Sequence, residues 1–294
     1  MFIKRLPRFE YHAPASVQEA LQYLSQWGGK AKVLAGGTDL LVAMKKREEV
    51  PEHLINLKGI PGLNEIRYDE KNGLSIGGLT TVGDIERSRI VREKFTVLWD
   101  AVNVMAAPQV RNLGTIGGNL CSAGPSADTA PPLIALGASV RLLGAKGERS
   151  VSVESFFKGP GESLLKADEI LLEVRVPVPP ENCGGAYFKL MRRKAMDLAL
   201  VGAAVFLRMD KGRKICEEAR IALGAVAPTP VRAPKAEQVL AGREVNEQTA
   251  AEAGNSARME AKPISDIRAS EAYRREMVAV LTRRAIMMAL ERAR

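Results

Sequence analysis

Aromatic side chains make up only 5% of this 294-residue chain, and it carries two histidines and three cysteines. So few aromatics leave no supply of stacking platforms for single-stranded nucleic acid, and no zinc-finger, RNP-like or basic-zipper pattern takes their place. Cys121, Cys183 and Cys216 lie far apart with no CxxC pair, so a self-contained iron–sulfur or structural zinc site has no ligands. Such cysteine usage fits a reduced, cytoplasmic protein. His12 and His53 stand in neither a GxSxG nor an HExxH context, which leaves hydrolytic chemistry without a carrier. The longest apolar run, LALVGAAVFL at 198–207, is too short to span a bilayer, and the first sixteen residues have no continuous apolar stretch. GxGxxG and GxxxxGK[ST] are both missing, which argues against a Rossmann site and a P-loop.

What is present is enough for a substantial core, with 46% hydrophobic residues and a length that suits two or three domains. The net charge of +9 is spread over short clusters, MKKR at 44–47, MRRK at 191–194 and Arg283-Arg284, interleaved with acids. That pattern gives no indication of nucleic-acid binding. Residues 16–27 read as a helix capped by Ser16 and ended by Gly28-Gly29, followed by a strand at 32–35. A hairpin turning at Lys71-Asn72-Gly73 leads to a helix that Thr81 caps, and a further helix near 92–107 ends at Pro108. A strand pair turns at Lys146-Gly147. EILLEVRVPVPPENCGG ends a strand in a proline and glycine cluster, which places a domain boundary near residue 178. Beyond it lie further strands and helices over 235–258 and 270–292. In the last of these, Tyr273, Met277, Val280, Leu281 and Met288 form the apolar face, with Arg274, Arg275, Arg283 and Arg284 mostly away from it.

Two glycine-rich stretches draw attention. KVLAGGTDLL runs from a strand into Gly36 and Gly37 and then a Thr-Asp pair suited to capping a turn. Glycines there let backbone approach a ligand, and successive amides can point at one anion, although such a turn can equally be a plain strand-to-helix connection. TIGGNLCSAGPSADTAPP at 115–132 repeats the device after Gly114, with Thr115, Gly117, Gly118 and Asn119, then Ser122, Ser126 and Asp128. Two such turns converging from different strands would cradle a pyrophosphate. The plain alternative is a capped loop, with Asp128 as N-cap of the helix at APPLIALG. Since no nucleophile or acid–base pair is recognisable, the chemistry belongs to a cofactor.

AGGTDLL, TIGGNLCSAGPSADTAPPLIALGA and EILLEVRVP, with the later YFKLMRRKAMDLALVGAAV, GAVAPTPVRAPKAEQVLAG and YRREMVAVLTRRA, resemble the FAD-binding medium subunit of molybdenum hydroxylases. This is the xanthine dehydrogenase and carbon monoxide dehydrogenase family, and the likeness runs through essentially the whole chain in order. The resemblance implies an α+β fold, PCMH/VAO-like and not Rossmann. It implies an FAD-binding domain over 1–177 in two subdomains (about 1–56 and 57–177), then a C-terminal domain of antiparallel sheet and helices over 178–294. It implies non-covalent FAD near Lys32, Val33, Leu34, Ala35, Gly36, Gly37, Thr38, Asp39 and Leu40, and near Thr115, Gly118, Asn119, Ser122 and Asp128, with Leu171 and Lys189 as neighbours of the isoalloxazine. No residue of this chain is expected to be catalytic or to ligate a metal.

The same resemblance implies partners: a large subunit with the molybdenum cofactor, a small subunit with two 2Fe-2S clusters, and a dimer of heterotrimers. FAD would pass electrons from the clusters to an external acceptor. The basic start of RRKAMD at 192–197 suits an anionic acceptor such as NAD. Cys121, inside the second motif, is expected to pack rather than to do redox chemistry. The alternatives are a free-standing FAD-dependent reductase of the same broad architecture and a flavin-free assembly subunit.

Overall fold

The computed structural model describes residues 5–293; Met1–Lys4 and Arg294, inside the expected domain limits, lie outside the described residues. The first unit is a parallel sheet. Strands β1 (Glu10–His12), β2 (Ala31–Leu34) and β3 (His53–Asn56) run in the order β1-β3-β2. Helix α1 (Val17–Trp27) starts as expected, with the Ser16 hydroxyl accepting from the Glu19 N–H, and closes at Gly28, whose φ of 52° suits glycine. β2 leads through the first glycine stretch into α2 (Leu40–Lys46).

The second unit opens with the expected hairpin, β4 (Ile66–Asp69) and β5 (Gly73–Gly77). Short helices follow: α3 (Val82–Arg87, capped by Thr81), α4 (Arg89–Lys94), α5 (Thr96–Val104), α6 (Pro108–Arg111), α7 (Ile116–Cys121) and α8 (Ala130–Ala135). Then come β6 (Ser139–Gly144), β7 (Gly147–Ser152), the short pair β8 (Phe157–Gly159) and β9 (Glu162–Ser163), and β10 (Glu169–Val176). The main sheet is antiparallel in the order β4-β5-β10-β6-β7. The helix expected near 92–107 is therefore two. Phe95, with φ −127° and ψ 50°, breaks it because its ring is fully buried in the core. Pro108 does not end that helix; it opens α6, where its missing N–H has no intrahelical partner to lose.

Strand β10 joins the first two units. Ile170 and Leu172 pack with Ala20, Leu24 and Ile55, whereas Leu171, Val174 and Val176 enter the larger core of Leu98, Leu120, Leu133 and Phe156. A near-continuous apolar strand is what burial on both faces demands.

The third unit is the antiparallel sheet β11 (Cys183–Leu190), β12 (Val201–Met209), β13 (Cys216–Gly224) and β14 (Val231–Arg232), covered by α9 (Pro234–Leu240), α10 (Glu247–Glu260) and α11 (Glu271–Arg292). Along β12, Ala203, Val205 and Leu207 face the helices, while Ala204 and Phe206 enter the second unit's core. The helix expected over 235–258 is two, because Asn246 and Thr249 form a reciprocal capping box that restarts the chain as α10. The buried face of α11 also differs from expectation: it is Val278, Leu281, Thr282, Ala285, Ile286 and Ala289, together with Arg274, while Tyr273 is 48% exposed. Small residues win there because the helix lies close on the sheet: a Cβ on Gly184 would sit 2.1 Å from the Ala289 carbonyl oxygen. Arg274 is buried because it donates to the Ala225 carbonyl at 3.2 Å and pairs with Asp266 at 2.8 Å. Among the described residues no helix is long and apolar enough to cross a membrane.

Candidate functional site

The two glycine stretches meet. A Cβ on Gly36 would lie 2.2 Å from the Leu113 carbonyl oxygen and 2.9 Å from Gly114 Cα, so the first loop rests directly on the backbone that opens the second. Ser122 Oγ donates to Asp39 Oδ2 at 3.2 Å across the same junction. Asp39 occupies the N-cap of α2 without making a side-chain cap, and Gly37 holds φ at 79°. The consequence is a run of free donors. The Gly37 and Asp39 carbonyls accept from Leu41 and Ala43, but the N–H groups of Gly36, Gly37, Thr38 and Asp39 donate to no acceptor among the described residues. Four successive half-buried or exposed amides without partners form a concavity suited to an anion.

The neighbours of this loop divide in role. Lys32 Nζ pairs with Glu49 at 2.9 Å, and Val33 packs half-buried on the first unit's core. The Leu34 carbonyl accepts from Leu57, and its methyl lies 3.1 Å from where a Gly37 Cβ would be. Ala35 is half-buried, the Thr38 hydroxyl faces Gly114, and Leu40 is the first residue of α2.

The second stretch is not the turn that its glycines suggest. It is the helix α7, and its amides are already used. Thr115 Oγ1 accepts from the Gly118 N–H at 3.0 Å, the Gly78 carbonyl from Gly117 at 3.0 Å, and the Thr115 and Gly118 carbonyls from Asn119 and Ser122, each at 2.9 Å. Gly117 is required for contact with the protein itself, since its Cβ would meet Gly78 O at 2.5 Å. Leu171 stands behind Gly78, 7% exposed, with its carbonyl 2.4 Å from where a Gly78 Cβ would be. The Asn119 side-chain carbonyl accepts from the Thr129 hydroxyl.

Asp128 is not the N-cap of α8; Thr129 is. The Asp128 carboxylate is buried and reaches across to the third unit, accepting from Lys189 Nζ at 2.8 Å and from the Tyr187 hydroxyl at 3.0 Å. Burial pushes the Asp128 carboxyl up, opposed by the Lys189 ammonium and the Tyr187 hydroxyl. Burial, reinforced by the Asp128 charge, holds Tyr187 well above the usual phenol range. Tyr187 was not singled out from the sequence, yet it stands two residues before Lys189, and strand alternation puts both on one face. Burial pushes the Cys121 thiol up to about 12, so it carries no thiolate at neutral pH.

Residues 7–179 match the family described as FAD binding domain in molybdopterin dehydrogenase, and residues 186–289 match the CO dehydrogenase flavoprotein C-terminal domain. The chain belongs to this FAD-binding family. It is 40% identical to the carbon monoxide dehydrogenase medium chain of Hydrogenophaga pseudoflava, covering 97% of this chain and 98% of that one. It is 34% identical to the xanthine dehydrogenase FAD-binding subunit of Escherichia coli O157:H7, covering 96% of each. The solved carbon monoxide dehydrogenase from Hydrogenophaga pseudoflava that lacks the Mo-pyranopterin moiety superposes with a TM-score of 0.93 at 39% identity, covering 98% of this chain and 99% of that one. The chain is thus an FAD-binding medium subunit of the molybdenum hydroxylases, an oxidoreductase component with the expected α+β fold.

Proposed function

We propose that this subunit relays electrons: from a large partner carrying the molybdenum cofactor, through 2Fe-2S clusters of a small partner, to the FAD bound here and on to an external acceptor. The observation that carries the reading is the pair of glycine stretches pressed together, one with four amides that have no acceptor among the described residues. The bound isoalloxazine would supply the redox chemistry. The protein residues bind, orient and shield it.

In this reading the Gly36–Asp39 amides take the pyrophosphate oxygens, Thr38 and the α2 N-terminus add donors, and Lys32 to Ala35 with Leu40 shape the wall around them. Thr115, Gly118, Asn119 and Ser122 form the opposing wall through α7. Asp128 and Lys189 pin the third unit against that wall, while Leu171 closes the floor behind Gly78, towards the isoalloxazine. The segment 192–197 is exposed over Arg192–Met196 and held by Asp197, which accepts from the N–H groups of Arg192 and Arg193. Its positive charge favours an anionic acceptor such as NAD. The expected assembly is a dimer of heterotrimers in the cytoplasm.

The test is the visible spectrum of the chain purified with its partners, followed by release and identification of the chromophore. Released FAD, with cluster and molybdenum signals only in the complex, supports the relay. Flavin reduction by a hydroxylase substrate in the isolated subunit, with no molybdenum present, would overturn it.

A further inference from the structure

The chain's two histidines are 41 residues apart in sequence, and the parallel pairing of β1 with β3 sets them side by side. His12 Nε2 lies 3.2 Å from His53 Nδ1, which lies 3.4 Å from Glu10 Oε2; that carboxylate oxygen is 3.9 Å from His12 Nε2. Three potential ligand atoms, two imidazole nitrogens and one carboxylate oxygen, therefore lie within 4.8 Å of one another. A tetrahedral ion bound at about 2.0–2.2 Å holds its ligand atoms roughly 3.3–3.6 Å apart, so two of these separations fall close to that edge length and the third closes by rotation of an exposed glutamate. The imidazoles are 19% and 13% exposed and the glutamate 73%. Trp27 locks the rings from behind, with its centroid 4.2 Å from His12 and 4.1 Å from His53, the latter stacked within 9°. Tyr23 lies 5.3 Å from His12. Largely buried rings packed on aromatics, with an exposed carboxylate beside them, form a half-built coordination sphere with an open fourth position.

We propose that Glu10, His12 and His53 bind a divalent late transition ion, Zn2+ first, remote in role from the flavin loops, and that the ion clamps β1 to the sheet. The donor set suits such an ion, since imidazole nitrogen with one carboxylate favours zinc, nickel or copper over magnesium or calcium. The clamp has a structural use. β1 is a three-residue edge strand paired on one side only, and an ion shared by Glu10 and His12 of β1 and His53 of β3 cross-links the two strands at the start of their register.

The test uses the full FAD-loaded chain, freed of metal by chelation and titrated with ZnCl2 in a calorimeter. Expected is one Zn2+ per chain in the wild type, none in His12→Ala/His53→Ala, and affinity weakened by about tenfold in Glu10→Gln. Flavin content of each variant reports that it has folded. Three further readouts are independent of affinity. Co2+ should give the visible bands of a tetrahedral site only when both histidines are present, and Cu2+ should quench Trp27 emission in a Trp99→Phe background. Zn2+ should also slow amide exchange over 10–12 in the wild type alone. Equal stoichiometry in the wild type and the double-histidine variant, or no binding to the folded wild type at tens of micromolar ion, overturns the site.

Discussion

Two stretches look alike on paper and do opposite things. At 36–39 the glycines free a run of backbone amides, because the loop turns into α2 without a side-chain cap and leaves four donors unengaged. At 115–122 the glycines serve packing: α7 takes up its own amides, Thr115 caps it, and Gly117 admits the backbone of Gly78. Glycine content alone does not mark an anion site. What distinguishes the two is where the N–H groups go.

The strongest way to break the contrast is through the buried pair that fixes the second stretch to the third unit. Lys189→Met leaves Asp128 as an uncompensated buried carboxylate. It should cost about 3–5 kcal/mol of stability in denaturant unfolding, and Asp128→Leu in the same background should recover much of it. If Lys189→Met unfolds like the wild type, the pair is not holding the wall.

Next in size is Gly36→Ala. Its Cβ meets backbone at 2.2 Å, which no rotamer relieves, so the two loops must part. Stability should fall by about 1–3 kcal/mol, and the ratio of flavin to protein absorbance should drop at least tenfold. Gly118→Ala is the matched control. Its Cβ meets only the Thr115 hydroxyl, at 2.9 Å, so it should disturb one cap, cost about 1 kcal/mol as Thr115→Ala does, and retain most of the FAD. Equal flavin loss in Gly36→Ala and Gly118→Ala would erase the distinction between donor loop and scaffold.

The smallest effect concerns Cys121. Its folded pKa, about 12, stands above the ordinary 9.0, so the stability that the thiol contributes is complete below pH 9 and declines as pH rises towards 12. Iodoacetamide should label it slowly at pH 8 in the native subunit and rapidly in urea. Fast labelling of the native form would contradict a thiol pKa held that high.

Much of the fold was legible because local chemistry and tertiary demand agree. The Ser16 cap, the Thr81 cap and the hairpin turn at Gly73 all stand where the residues suggest. The misses share a cause, which is packing between distant segments. Phe95 interrupts a helical pattern to fill a core assembled from the second and third units, and α11 turns its small residues inward because Gly184 lets it approach. Gly184 and Gly185 read as the end of a loop but lie inside β11, where Gly184 meets α11 and Gly185 meets Val97 of α5. The residues proposed for the site follow from motif order. Their division into free and engaged amides does not, since it depends on Gly78 and Thr115 reaching particular donors.

The tie between Asp100 and Arg292 bears on how the chain is made. Arg292 donates to Asp100 at 2.6 Å and to the Gly185 carbonyl at 2.9 Å, joining α11 to α5 across 192 residues of sequence. A ribosome adding about 5–20 residues per second delivers Arg292 roughly 10–40 s after Asp100. For the last part of that interval both glycine stretches and β11 have been made, but the helix that clasps α5 has not. Nascent chains stalled before α11 should therefore be cut by protease near Asp100, and the order of events at the ribosome becomes sheet first, clasp last.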